Sequence, residues 1–236
     1  MKKLNTLMIT LSSFLIVFFT CFVANAQDIT KKPADFCYLK EAIPGIILDI
    51  RYKTSNNFLG RPVKGYKNAR LILSKPATEA LAKVQENLEE MGLTLKIFDA
   101  YRPQSAVNDF VEWAKDINDT KMKKQYYPDV KKENLFTDGY IAARSSHSRG
   151  STVDLTIAGY DKKGHPQDLN MGSGFDFFGK KSHPDYKNIP YQARANRLLL
   201  RTLMIQHGFK PLEEEWWHFT YEDEPYPETY FDFPQE

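Results

Sequence analysis

The chain has 236 residues, enough for one large domain or two small ones. Apolar residues make up 42% and charged residues 26%, which excludes a disordered chain, a collagen or a coiled coil. Lys and Arg total 32 against 30 Asp and Glu, so no basic excess points to nucleic acid, and two cysteines exclude a disulfide scaffold or a cysteine-rich zinc module.

Residues 1–26 read as a secretory signal. Met1-Lys2-Lys3 precedes an apolar stretch through Val23, and Ala24-Asn25-Ala26 fits the small-residue cleavage pattern, with the cut before Gln27. The stretch from Leu4 is also close to the roughly 20 residues that span a bilayer, so an uncleaved anchor is the competing reading. Thr10, Ser12, Ser13 and Thr20 dilute it, and the cleavage triplet follows at once. The expectation is therefore a cleaved, exported protein, periplasmic or extracellular, without a stable membrane anchor and with one domain at 27–236. Taking Lys2 and Lys3 from the basic total leaves 30 basic against 30 acidic residues, and cleavage leaves Cys37 as the only thiol.

In chain order, Gly45 to Tyr52 (GIILDIRY) is apolar and β-branched and predicts a strand. Residues 76–91 predict a helix, with Ala77, Ala80, Leu81, Val84, Leu88 and Met91 on one face and Gly92 after its end. Thr94 to Asp99 predicts a short strand, and 104–115 a second helix with Ala106, Phe110, Val111 and Ala114 inward. Residues 116–140 are polar and irregular. Val153, Leu155 and Ile157 alternate with Asp154 and Thr156, the pattern of a half-buried strand. Residues 159–190 form a long polar excursion. A third helix covers 191–207, with Ala195, Leu198, Leu199 and Leu203 inward, and Trp216 to Tyr221 predicts the last strand. Helices and strands do not alternate regularly, which favours α+β over a doubly wound sheet.

Five histidines can be weighed one by one. His207, before the helix-stopping Gly208, suits a helix C-terminus, and His165 and His183 sit in polar loop sequence. His147 lies seven residues before Asp154, a spacing equally met by a Ser/Gly loop followed by an exposed strand carboxylate. His218 follows Glu215-Trp216-Trp217, which places a carboxylate and an imidazole beside an aromatic wall. That composition suits a metal ligand and a nearby general base. Residues three apart on a regular strand face opposite ways, so Glu215 must lie in the turn entering the strand, or the strand must bulge.

At these residues the chain resembles the zinc D-alanyl-D-alanine dipeptidases of the VanX type. SSHSRGSTVDLT resembles their S-x-H-x-x-G-x-A-x-D signature, with Thr152 in place of Ala, and Glu215-Trp216-Trp217-His218 resembles their E-x-W-H element. LDIRYKTSNNFLGRPVKGY, FDAYRPQSAVNDFVEWA, MGSGFDFF and DEPYPETYFDFP extend the resemblance over nearly all of 27–236. It implies one Zn²⁺ held by His147, Asp154 and His218, with Glu215 as general base and proton donor. It implies that Arg102 binds the scissile carbonyl oxygen; read from sequence alone, Arg102 is a helix-entry arginine paired with Asp99. Asp176 is implied to bind the ammonium of a small D,D-dipeptide, with Ser145 and Tyr52 lining the pocket. The implied fold is α+β, a small antiparallel sheet flanked by helices in a single zinc-peptidase domain. The implied reaction is hydrolysis of D-Ala-D-Ala to two D-alanines. The signal segment is a departure, because the resistance enzymes of this family act in the cytoplasm. A D,D-carboxypeptidase trimming peptidoglycan stems is the alternative; a non-catalytic zinc-bearing wall-binding protein or an anchored structural protein are further rivals.

Overall fold

A computed structural model describes residues 28–66 and 68–235; the expected signal segment lies outside the described residues. β1 (Phe36–Tyr38) leads into one helical turn, α1 (Leu39–Ala42), and the two-residue strand β2 (Ile47–Leu48). β3 (Ile72–Ser74) runs directly into α2 (Lys75–Glu89), and β4 (Thr94–Asp99) is followed by α3 (Gln104–Lys115). The short α4 (Lys123–Tyr126) precedes β5 (Thr152–Tyr160), β6 (Pro166–Asp168), α5 (Tyr191–Gln206), β7 (Phe209–Pro211) and β8 (His218–Tyr221). The class is α+β. No helix among the described residues is long and apolar enough to cross a membrane.

The main sheet has the order β2-β4-β5-β8-β7, with β6 beside β5, and β1 pairs separately with β3. The expected antiparallel sheet is corrected at one edge, where β2 runs parallel to β4. A parallel pair needs a crossover, and β3 with α2 supplies it. The strand expected over 45–52 shrinks to two residues, because the chain turns at Arg51–Lys53 and carries Tyr52 into the core.

Leu95 and Ile97 of β4 lie across from Ile157 and Leu155 of β5. These four are buried with Leu81, Val84 and Leu88 of α2 and Leu200, Leu203 and Met204 of α5. Strand alternation turns Asp154 and Thr156 to the opposite face. The inward stripe of α5 differs from expectation. Ala195 and Leu198 face solvent, whereas Ala193, Asn196 and Arg197 are buried. A run of three leucines suits two rotations of the helix equally well, and the polar contacts of Asn196 and Arg197 select the observed one. Met91 is also exposed, two residues beyond the end of α2.

A register shift between Ile97 and Asp99 bulges β4 and sets Asp99 directly across from Asp154. Behind these residues lies a second cluster: Phe36, Ile72, Tyr101, Phe231 and Phe233. The C-terminal segment is strapped over it. Phe231 N–H donates to the Ser148 carbonyl (2.8 Å), Tyr101 Oη donates to the Phe233 carbonyl (2.9 Å), and Arg149 forks onto Glu224 (2.8 Å twice).

Gly150 explains the glycine of the His147 motif. Its φ is +85°, and a Cβ there would lie 2.2 Å from two carbons of the Phe36 ring. Gly150→Ala therefore combines a left-handed strain with overpacking, costing about 3 kcal/mol. Thermal unfolding should show the melting temperature falling by roughly 10 °C; an unchanged value would show that the loop relaxes without disturbing Phe36.

Candidate active site

Three acceptor atoms meet where β5, β8 and the turn before β5 come together. His147 lies on a 3₁₀ turn, Ser146–Arg149, whose start is capped by Ser145 Oγ accepting from the His147 N–H (3.3 Å). Its Nδ1 is 2.7 Å from the Ala100 carbonyl. A carbonyl only accepts, so Nδ1 carries the proton and Nε2 presents a lone pair. His218 opposes Asp154 across the strands, and its Nε2 is 3.2 Å from Ser146 Oγ. With that nitrogen donating to the hydroxyl, His218 Nδ1 is the second lone pair. His147 Nε2 lies 3.2 Å from Asp154 Oδ2, His218 Nδ1 lies 3.1 Å from Asp154 Oδ1, and the two nitrogens are 3.3 Å apart.

This grouping asks for a cation. The ligand atoms of His147, Asp154 and His218 all fall within 4.8 Å of one another, and buried Asp154 Oδ1 has no hydrogen-bond partner among the described residues. Burial raises the Asp154 carboxyl, and positive charge at His147 and His218 holds it below the ordinary carboxylate range, a charge that a bound cation supplies when the rings are neutral. Burial lowers His147, which keeps that ring neutral as a ligand requires. Two imidazoles and one carboxylate with an open side fit a catalytic zinc ion rather than a structural one. Thr152, the departure from the motif, bonds Thr220 across the strands (2.9 Å) and disturbs no ligand.

Glu215 lies in a turn closed by the His218 N–H donating to the Glu215 carbonyl (3.4 Å), and β8 begins only at His218. The strand expected from Trp216 is thus two residues shorter. The turn brings Glu215 Oε2 to 3.5 Å from His218 Nδ1, and burial pushes the Glu215 carboxyl up to about 7. Arg102 donates from Nε to Asp99 Oδ2 (2.9 Å) and extends Nη2 to 3.5 Å from Asp154 Oδ2. Its guanidinium stacks near Tyr52 and Phe110, at 5.1 and 5.0 Å. Arg102 is therefore both a partner of Asp99 and a donor aimed into the site. Asp99 is fully buried and also accepts from Tyr66 Oη (2.7 Å). From sequence Asp99 was legible only as a partner of Arg102 and Tyr66 not at all, because the bulge that aligns Asp99 with Asp154 has no local signature.

The same cavity, of about 290 Å³, is lined by Tyr52, Arg102, Ser145, Asp176 and Glu215 as well as the three ligand residues. Asp176 is 4% exposed; Oδ1 accepts from Tyr52 Oη (3.1 Å), and Oδ2 has no partner among the described residues. Burial, with Asp154 and Glu215 nearby, pushes this carboxyl well above its ordinary range. A bound cation reverses that penalty. The structure brings together all eight residues singled out in the sequence. His207 instead reaches across to Asn87 of α2 (2.8 Å), and His165 pairs with Asp161 on the surface.

A buried carboxylate and two imidazoles beside a glutamate and an arginine, on an α+β domain, define a metallopeptidase class of site. Residues 32–236 match the peptidase family model described as D-ala-D-ala dipeptidase, and the chain belongs to that family. It is 42% identical over 200 residues to a D-alanyl-D-alanine dipeptidase of Streptomyces coelicolor, covering 85% of this chain and 98% of that one. The Enterococcus faecalis protein of the same name is 42% identical over 198 residues, covering 84% and 96%. The Escherichia coli (strain K12) protein of that name is 35% identical over 176 residues, covering 75% and 79%.

Zinc binding should appear as stability. A folded-state ligand at a thousand times its Kd adds about 4 kcal/mol, so chelation should lower the melting temperature of zinc-loaded protein by roughly 10 °C. His147→Ala, Asp154→Ala and His218→Ala should each lose both the zinc and this chelator response. Full zinc content in all three variants would remove the assignment.

Proposed function

We propose that the chain is a zinc-dependent dipeptidase that hydrolyses D-Ala-D-Ala to two D-alanines. The observation that carries this reading is Asp176: a buried carboxylate with one unpartnered oxygen, in the same small cavity as the ligand trio. A free dipeptide places its ammonium one residue from the bond to be cut, so an enzyme for dipeptides must recognise that charge there. Asp176 binds the ammonium by a charge-assisted hydrogen bond while Tyr52 holds the other oxygen.

Arg102, fixed by Asp99, faces the scissile carbonyl oxygen and stabilises the negative charge that develops on it. Glu215 accepts a proton from the attacking water and delivers it to the leaving amine nitrogen. A zinc ion held by His147, Asp154 and His218 supplies Lewis acidity and a lowered pKa for water. Ser145 shapes the turn that presents His147.

The signal-like residues 1–26 support export, which bears on the physiological role. An exported enzyme meets released or environmental dipeptide, so cell-wall peptide turnover or nutrient recovery fits it better than glycopeptide resistance. Its partner is a small D,D-dipeptide rather than a polymer.

Glu215→Gln should retain zinc and stability but lose about a thousandfold in kcat; a loss within about tenfold would assign the base elsewhere. Wild-type protein should hydrolyse D-Ala-D-Ala and reject its N-acetylated form, and Asp176→Ala should narrow the gap in kcat/KM between the two substrates. Equal cleavage of N-acetyl-D-Ala-D-Ala, or of a stem pentapeptide, by the wild type would replace this reading with a D,D-carboxypeptidase.

A further inference from the structure

Arg197, in the middle of α5, is a buried cation with no carboxylate partner among the described residues. It is 3% exposed, and burial, with no opposing carboxylate, lowers its pKa to about 10, so it stays protonated at neutral pH. Buried guanidinium groups are ordinarily paired with carboxylates. Arg197 spends its donors on a single loop instead. Nε donates to the Met171 carbonyl (2.5 Å), Nη1 to the His183 carbonyl (2.8 Å), and Nη2 to the Lys181 carbonyl (2.8 Å) and Ser173 Oγ (3.2 Å). The neighbouring Asn196 Nδ2 donates to the Asn170 carbonyl (2.9 Å). Residues 170–183, which contain no regular element beyond one 3₁₀ turn, thus hang from two side chains of α5.

Asp176 stands in the middle of that loop with φ +60°, the sole non-glycine residue with positive φ among the described residues. Aspartate tolerates this left-handed region better than most side chains, and here the surrounding loop keeps it there. The clamp also reaches the base. Ser173 Oγ accepts from Trp216 Nε1 (3.0 Å) and lies 3.1 Å from Ser182 Oγ, which donates to the Phe177 carbonyl (2.6 Å). The Trp216 backbone N–H donates to the Ser182 carbonyl (2.9 Å). Trp216 directly follows Glu215, so one hydrogen-bonded node joins the Asp176 loop to the turn bearing Glu215.

We propose that Arg197 is a positioning residue which, through Met171, Ser173, Lys181 and His183, fixes Asp176 relative to Glu215 and so sets the preference for a dipeptide with a free amino group. This rests on the dipeptidase reading. The guanidinium spreads five donors over a wide planar fork and so reaches all four acceptors, whereas a lysine ammonium carries three donors on a single atom.

The test combines Arg197→Lys with Asp176→Ala, measuring kcat and KM on D-Ala-D-Ala and on its N-acetylated form together with zinc content and thermal stability. Arg197→Lys should raise KM by about tenfold while kcat stays within about threefold and zinc content is unchanged. In the Asp176→Ala background the same substitution should change kcat/KM by less than about twofold, because its effect passes through Asp176. If the two effects multiply, or if Arg197→Lys lowers kcat and zinc content with KM unchanged, Arg197 is a residue of the fold alone and the proposal is overturned. Should Arg197→Lys fail to fold, Ser173→Ala removes only the shared hydroxyl; a KM rise of about threefold that vanishes in the Asp176→Ala background supports the node, and a persisting one refutes it. Wild-type protein in the same assay separates the two levels. If it fails to prefer the free dipeptide, the dipeptidase reading falls and this proposal with it. If it does prefer the free dipeptide and the variants multiply, the clamp alone is wrong.

Discussion

The hydrogen bond from His147 Nδ1 to the Ala100 carbonyl decides what the centre of this molecule can be. It turns Nε2 toward an aspartate and a second imidazole, that of His218, whose Nδ1 also faces the aspartate. Three such ligand atoms at hydrogen-bond distance from one another are unfavourable together without a proton or a metal cation to join them. Much of the surrounding architecture holds that unfavourable arrangement in place. The bulge in β4 brings the Ala100 carbonyl and Asp99 to the site, Gly150 closes the turn under His147, and the C-terminal strap bonds Ser148 from behind.

Around this centre the charges alternate. Asp99 binds Arg102, Arg102 approaches Asp154, and Glu215 and Asp176 flank the cavity in states that burial disfavours until a positive group arrives. The site is therefore preorganised for a metal ion and for an ammonium. That pairing of demands suits a short zwitterionic peptide better than an acylated one, since an uncharged acyl nitrogen would leave Asp176 unpaired.

What was legible in the sequence follows from what is local. The stripe of α2, the extent of α3 and the alternation of β5 are set by side-chain periodicity within one element, and each stands close to where its pattern put it. The turn at Glu215 was also legible, because two residues three apart cannot share a face of a straight strand. The rotation of α5 was not, since Arg197 is buried by a loop more than ten residues away in sequence, and apolar periodicity carries no trace of that contact. The parallel edge at β2 and the role of Asp99 depend on a crossover and a bulge, which are likewise properties of pairing rather than of local composition. His147, Asp154 and His218 could be grouped only through resemblance, because the turn of His147 and β5 meet β8, which lies far on in the sequence.

The most direct test is hydrolysis by the purified 27–236 chain, stripped of metal and then titrated with zinc. D-Ala-D-Ala should be inert to the metal-free protein and cleaved in proportion to zinc added, saturating at one ion per chain, while L-Ala-L-Ala and a stem pentapeptide remain intact. Undiminished cleavage of D-Ala-D-Ala by the metal-free protein would contradict the assignment of the three acceptors, and a pentapeptide cleaved as readily as the dipeptide would contradict the role given to Asp176.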